Sequence, residues 1–280
     1  MNIVRVASAD DILAGQFVAL ARQVFNLDFT SWIAEDGWTG RFQPYAAVDG
    51  GRVLAAAAAN VIDCHLAGIK RRYIQLSTVM TAPDRRHQGC GRLLIQAILH
   101  DCQDADGFFL YANDSVLGFY PRFGFRIQPE HHWHRTAAGG QPDGLQPVAL
   151  PDRAARGAFI ANLAQRPSLG AVTFDTPQLT LFHLLNDMRH DAGRWPAADA
   201  WILAHDGYVT AIHAPTGVSP RQVADAFAAG TDVELAFAPA DADGFFRRGY
   251  HEEDSTLFVL GPTLTADMAV IGSFPDVMHT

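Results

Sequence analysis

Residues 83–93 read Pro-Asp-Arg-Arg-His-Gln-Gly-Cys-Gly-Arg-Leu, and these types at this spacing suit one task, the gripping of a diphosphate. An apolar, β-branched run from Tyr73 to Thr81 leads in, and a helical pattern of Leu93, Leu94, Ile95, Ala97, Ile98 and Leu99 leads out. The stretch is therefore a strand, a turn and the open start of a helix. Backbone N–H groups converge in such a turn, and the helix dipole adds partial positive charge. Gly89 and Gly91 let the backbone come close to an anion where a Cβ would obstruct it. Arg85, Arg86 and Arg92 add full charges. The spacing is not that of the two common nucleotide loops: G-x-G-x-x-G wants a third glycine, and G-x-x-x-x-G-K wants a lysine. Two glycines by themselves also fit an ordinary strand-to-helix turn.

A second polar and aromatic set follows the apolar strand Phe108 to Tyr111. Asn113-Asp114-Ser115 caps a short helix expected to run through Val116, Phe119 and Tyr120 to Phe123. Asn113, Tyr120 and Gly124-Phe125 stand at steps of seven and four. Taken with Arg86-x-x-Gly89-x-Gly91, this set resembles the two cofactor motifs of the GCN5-related N-acetyltransferase (GNAT) superfamily. The resemblance covers residues 1–136. Ile74 to Thr81 and Tyr111 to Leu117 further resemble a two-domain bacterial branch of unsettled substrate.

The resemblance implies acetyl-CoA as co-substrate and residue roles that follow the motifs. The backbone of Val79, Met80 and Thr81 would meet the pantetheine arm, and one N–H there would polarise the thioester carbonyl. Arg86, His87, Gln88, Gly89, Cys90, Gly91 and Arg92 would hold the pyrophosphate, and Asn113 would contact the cofactor through its amide. Tyr120 would be the general acid as well as a cofactor contact: a phenol of pKa about 10 can reprotonate a thiolate whose acid sits near about 8.5. No general base is assigned. Gln75 and Ser77 are poor bases, Asp63, Glu35, Asp36 and Asp114 are carboxylates in reach, and ordered water serves in much of the family.

Composition narrows the setting. The chain has 280 residues, 49% of them hydrophobic and 18% charged, enough to bury a substantial core in one or two domains. A net charge of −9 without any basic stripe argues against nucleic acid as partner. Cys64, Cys90 and Cys102 have neither disulfide nor metal spacing, which suits a reducing cytoplasm. No apolar run reaches membrane-spanning length and the N-terminus lacks a signal core, so neither membrane nor export is expected. His131, His132 and His134 invite a metal reading, but on a strand only His132 and His134 share a face, and a zinc site wants three ligands. No metal is expected.

The elements that must position these residues read as an α/β (α+β) chain. Strand 2–6, a helix through Leu13 to Phe25, a hairpin Tyr45–Val48 with Arg52–Val61, a short strand from Cys64 to Ile69 and the motif strands make a GNAT-like mixed twisted sheet with helices on both faces. The aromatics of 28–42 lie either at the acceptor pocket or in the core. Residues 1–138 are expected as the acyltransferase domain, 139–150 as a linker and 151–280 as a smaller α/β domain. Gly244-Phe245-Phe246 echoes Gly118-Phe119-Tyr120, which reads either as chance or as a degenerate GNAT-like half that serves packing, pocket closure or homodimer contact. The tail, Phe274 to Thr280, is apolar enough to dock on the body. The expected activity is transfer of acetyl to a primary amine of a small molecule, an antibiotic-like polyamine among the candidates. The rival is a non-catalytic acyl-CoA-binding regulator or assembly subunit.

Overall fold

The computed structural model describes residues 1–140, 144–186, 191–275 and 278. The first half of the chain runs β1 (Asn2–Arg5), α1 (Ala14–Phe25), α2 (Thr30–Ala34), β2 (Phe42–Asp49), β3 (Arg52–Leu66), β4 (Ile69–Thr81), α3 (Cys90–Asp101), β5 (Gly107–Ala112), β6 (Arg126–Ile127) and β7 (Glu130–Thr136). The second runs β8 (Gln146–Pro147), α4 (Arg153–Ala164), β9 (Val172–Asp175), α5 (Pro177–Leu185), β10 (Asp191–Trp195), β11 (Ala200–His205), β12 (Tyr208–His213), α6 (Pro220–Ala224), β13 (Asp232–Leu235), β14 (Phe246–Tyr250), β15 (Thr256–Leu260) and α7 (Pro262–Ile271). The molecule is a mixed α+β protein of two sheets.

The sheets share one plan. The first is ordered β1-β2-β3-β4-β5-β15-β6 with β9 added on β3, the second β8-β10-β11-β12-β13-β7-β14. Each contains one parallel pair joined through a helix: β4–α3–β5 and β12–α6–β13. Next to each pair lies a strand from the other half. β15 inserts between β5 and β6, and β7 inserts between β13 and β14. Since β7 follows β6 in the chain and β15 follows β14, the halves exchange these two strands reciprocally, and the second half lends β9 to the first sheet as well. Sheet membership thus departs from the expected division at 138 and 151. Of the two stretches that echo each other, 118–125 leads into β6 and 244–250 contains β14, strands at matching places in the two sheets.

Local sequence explains most of these elements. β3 carries Ala55 to Ala59, all fully buried, although alanine favours helix. Burial on both faces overrides propensity here. Ala55, Ala57 and Ala59 face Leu94, Ile95 and Ile98 of α3, while Ala56 and Ala58 face Phe17 and Leu20 of α1. Ala67 and Gly68, with φ of +48° and +79°, close a tight turn into β4. The short strand expected from Cys64 is therefore the end of one long β3. The helix expected after Asn113 is instead two 3₁₀ turns, Asp114–Val116 and Tyr120–Phe123. Pro121 accounts for the break, because it offers no N–H to a continuing helix.

Pairing between β4 and β5 covers only Tyr73–Gln75 against Gly107–Phe109, after which the strands diverge. The second sheet diverges in the same way beyond Val209 and Leu235, but its wedge is filled by the chain itself. Leu169 N–H donates to Ile212 O at 2.9 Å, and Ala171 N–H to Ala238 O at 2.7 Å. Residues 167–171 thus satisfy both edges. Between the halves, Phe274 stacks on Phe109 with centroids 3.8 Å apart, and Met278 is fully buried. The other tail residues, 276, 277, 279 and 280, lie outside the described residues, as do 141–143 of the linker stretch and 187–190 of the helical pattern after Thr176. Among the described residues no helix is long and apolar enough to cross a membrane.

Candidate functional site

The open wedge of the first sheet leads into a cavity of about 1200 Å³. One wall is a β-bulge in β4. Ala56 pairs with Met80 and Ala58 with Ser77, so Thr78 and Val79 together oppose Ala57. Thr78 sits at φ +46°, a costly conformation for a β-branched residue, worth about 1–3 kcal/mol. Its Oγ1 is buried with no hydrogen-bond partner. Strain combined with an unsatisfied hydroxyl at one bulge points to a functional wall. Val79, Met80 and Thr81 continue the same wall.

The cradle follows directly. His87 at φ +63° and Gly89 at φ +82° turn the backbone into the start of α3. Space for a Cβ at Gly89 is open, so the glycine answers to its φ and not to crowding. No side chain caps α3, which leaves its first N–H groups available to an anion. Arg86, His87, Gln88, Gly89, Gly91 and Arg92 all line the cavity. Cys90 lines it too but is buried, its Sγ 3.6 Å from Met1 Sδ. Of charged side chains, four arginines (Arg85, Arg86, Arg92, Arg122) face one carboxylate, Asp254. This matches an anionic ligand.

Asn113 and Tyr120 close the far side. Asn113 Nδ2 donates to Asp254 Oδ2 at 2.9 Å, and the Asp114 N–H donates to Asp254 Oδ1 at 2.7 Å. These bonds hold the Asp254 carboxyl below the usual carboxylate range. Asp114 therefore does not cap its turn as expected; Asp254 does so from 140 residues away. Tyr120 is buried, and burial alone pushes its hydroxyl up to about 12. The phenol is protonated at neutral pH.

The twelve residues expected to meet the cofactor all line this one cavity, but sequence reasoning missed what the rest of the chain supplies. Val24, Phe25 and Leu27 at the end of α1, Phe182 of α5, Tyr111 of β5 and Asp254 complete the lining. The aromatics of 28–42 are core: Phe29, Trp32 and Phe42 pack edge-on or stacked around Phe17 and Phe182. The candidate carboxylate bases are occupied elsewhere. Glu35 pairs with Arg156, Asp36 with Arg153, and Asp63 with Arg72 and Arg41, and none of them lines the cavity. Ser77 does line it, while Gln75 is buried and donates to the Met278 carbonyl. Among the described residues no group of three His, Cys, Asp or Glu is arranged to hold a metal. Nothing local to β5 could have signalled Asp254 or Phe182, since both reach the cavity only through tertiary packing.

The sequence pattern of the acetyltransferase (GNAT) family matches residues 10–125. No curated protein matches the sequence. Among solved structures, a GCN5-related N-acetyltransferase from Kribbella flavida is 17% identical over 96% of this chain and 74% of its own, with a TM-score of 0.57. Eis1 from Mycobacterium abscessus is also 17% identical, over 97% of this chain and 76% of its own, at a TM-score of 0.57. A GCN5-related N-acetyltransferase from Anabaena variabilis is 13% identical over 92% and 72%, at 0.51. At these identities the likeness is one of fold, and it extends across both sheets. The matched stretch contains the bulge, the cradle, Asn113 and Tyr120, and over these residues the chain carries the sequence pattern of the GNAT acetyltransferase family.

Proposed function

We propose that the protein is an acyl-CoA-dependent N-acyltransferase that moves acetyl from acetyl-CoA to a primary amine of a small molecule by direct attack. The observation that carries this reading is the joining, in one cavity, of an uncapped helix start with Arg86 and Arg92, a bulged strand edge and the Tyr120 hydroxyl. The second sheet sharpens it: the same wedge is there filled by residues 167–171, whereas in the first sheet it is left open. The match of residues 10–125 to the GNAT acetyltransferase family supports acetyl-CoA as the co-substrate.

The cradle amides and arginines hold the diphosphate, the backbone of Val79 to Thr81 lies along the pantetheine arm, and the Asn113 amide orients it. The thioester supplies an activated acyl group with a thiolate as leaving group. A backbone N–H at the bulge stabilises the charge that develops on the carbonyl oxygen, an effect worth several kcal/mol. Tyr120 gives its proton to the departing sulfur. Units 1–138 and 151–280 then divide the work, the first carrying the chemistry and the second closing the acceptor end with Phe182.

The acceptor end combines Val24, Leu27 and Phe182, and the one carboxylate in the cavity lining is committed to Asn113 and Asp114. That lining favours an amine with an apolar body over a polycation. Calorimetric binding of acetyl-CoA, followed by thiol release across a panel of amines, tests the proposal. Release with wild type and its loss in Tyr120→Phe is the expected result. Binding without release for every amine is what a regulator of the same fold would give.

A further inference from the structure

We infer that the acceptor amine loses its proton to a buried relay that begins at the Tyr111 hydroxyl and passes through Glu130, Ser273 and His132 to Glu234 at the surface. This rests on the transferase reading above and supplies the base that the motifs left unassigned. Tyr111 lines the cavity, and its hydroxyl donates to Glu130 Oε1 at 2.9 Å. Ser273 Oγ donates to the same oxygen at 2.7 Å. His132 Nε2 lies 3.3 Å from Ser273 Oγ, and His132 Nδ1 lies 2.7 Å from Glu234 Oε1. Glu130, Ser273 and His132 are 6%, 1% and 1% exposed, whereas the Glu234 side chain keeps 28%. Of the five groups, therefore, only the two ends meet a cavity or bulk water.

Burying a carboxylate and an imidazole is costly unless the network around them is satisfied. Packing alone does not call for such groups to be strung in series between the cavity and solvent. Each link can both take and give a proton. Before attack, one N–H bond of the bound ammonium breaks: its proton goes to the Tyr111 oxygen while the Tyr111 proton passes to Glu130, and the nitrogen lone pair so freed then bonds to the acyl carbon. Protonated Glu130 donates to Ser273 Oγ, whose own proton turns to His132 Nε2. The Nδ1 proton of His132 is then released past Glu234 to water. After attack the tetrahedral adduct sheds its second nitrogen proton to water, while Tyr120 protonates the thiolate and recovers a proton from solvent; the nitrogen thus loses two protons, the sulfur gains one, and one is released.

Among the described residues, the groups facing this path from neighbouring elements include Tyr250 of β14, opposite Glu130 in register and stacked on His132 at 3.7 Å, Arg248 of β14, opposite His132 in register, Tyr208 of β12 at 5.9 Å from His132, and His134 of β7 at 4.0 Å from Glu234. The exchanged strand β7 makes the path, since it carries Glu130 and His132 out of the first half and into the second sheet.

Acetyl transfer to an alkylamine and to an arylamine is the test, in wild type, Glu130→Gln and Tyr111→Phe, with kcat and KM followed against pH and thermal unfolding recorded for each. An alkylamine arrives as an ammonium and needs the relay. An arylamine arrives uncharged and sheds its proton to water once it has attacked. Each variant is expected to lower kcat for the alkylamine at least about tenfold near neutral pH, with the deficit shrinking as pH rises. The arylamine rate and the KM for acetyl-CoA are expected to change less than about threefold. Equal losses with both amines, or no loss, overturn the relay. Should Glu130→Gln fail to fold, Tyr111→Phe decides alone, since it removes only the oxygen at the cavity. Wild type inert toward both amines overturns the transferase reading, and the relay with it, before any variant is made.

Discussion

The chemistry proposed for Tyr120 depends on how burial treats a phenol and a thiol together. Burial lifts the Tyr120 hydroxyl to about 12, which by itself would make it a poor acid. The same effect lifts the buried Cys64 thiol to about 12, and a thiolate generated inside the cavity is made more basic in the same way. Proton transfer from Tyr120 is therefore matched only to the degree that the departing sulfur is itself cut off from water. Tyr120→Phe is expected to lower kcat at least about tenfold while acetyl-CoA affinity stays within about twofold, as for a group used only in the transition state; stopped-flow thiol release and calorimetry check the two halves of that statement. At Gly89 the constraint is conformational. Gly89→Ala meets no neighbour but must hold φ +82°, at a cost of about 1–2 kcal/mol. Acetyl-CoA binding weaker by about tenfold is the expected outcome, and unchanged affinity would show that the loop is free to reshape.

Among the elements, the exchanged strands and the C-terminal tail do what local motifs cannot. β15 pairs with β5 throughout, from Thr256 against Ala112 to Leu260 against Phe108, and so supports the strand that carries Tyr111. Phe274 then covers Phe109 from the other half. Phe274→Ala removes a fully buried ring from this contact and is expected to cost about 3–5 kcal/mol, measured by urea unfolding. A loss well under about 1 kcal/mol would mean that the tail packs without holding the halves together. The Asp254 cap on Asn113 and Asp114 belongs to the same scale, since it ties the turn after β5 to the loop before β15.

For the whole molecule, reciprocal exchange makes the halves interdependent. A fragment of residues 1–138 lacks β15 and leaves β7 without its sheet, while 151–280 lacks β7. Each fragment alone is expected to unfold without cooperativity, and the two made together are expected to recover a single transition in calorimetry. Independent cooperative folding of either fragment would refute this. Alkaline pH acts on the whole core as well. Burial raises Tyr45, Tyr73, Tyr120 and Cys64 above their ordinary values, and carboxylate partners add to the shift at Tyr45 and Tyr73. Above the unfolded values, about 8.5 for thiols and 10 for phenols, the unfolded chain releases protons that the native state retains, so stability present below those values is lost as pH rises through the native ones. The melting temperature is expected to fall steadily from about pH 9 upward, and a flat profile to about pH 11 would contradict the assignment.

What was legible in the sequence was whatever depends on neighbours in the chain. The strand–turn–helix at Tyr73 to Leu99, the glycine at a left-handed position, the Asn113 to Phe125 spacing and the hairpin at Asp206-Gly207 follow from dihedral freedom, periodicity and short-range sterics. The tertiary structure alone decided which sheet β7 and β15 join, that Asp254 and Phe182 reach the cavity, and that Tyr111, Glu130, Ser273, His132 and Glu234 fall into line. Apart from Tyr111–Glu130, which are 19 residues apart, such contacts span about a hundred residues or more, and strand pairing at that separation is chosen by the burial of whole faces, which no local pattern encodes.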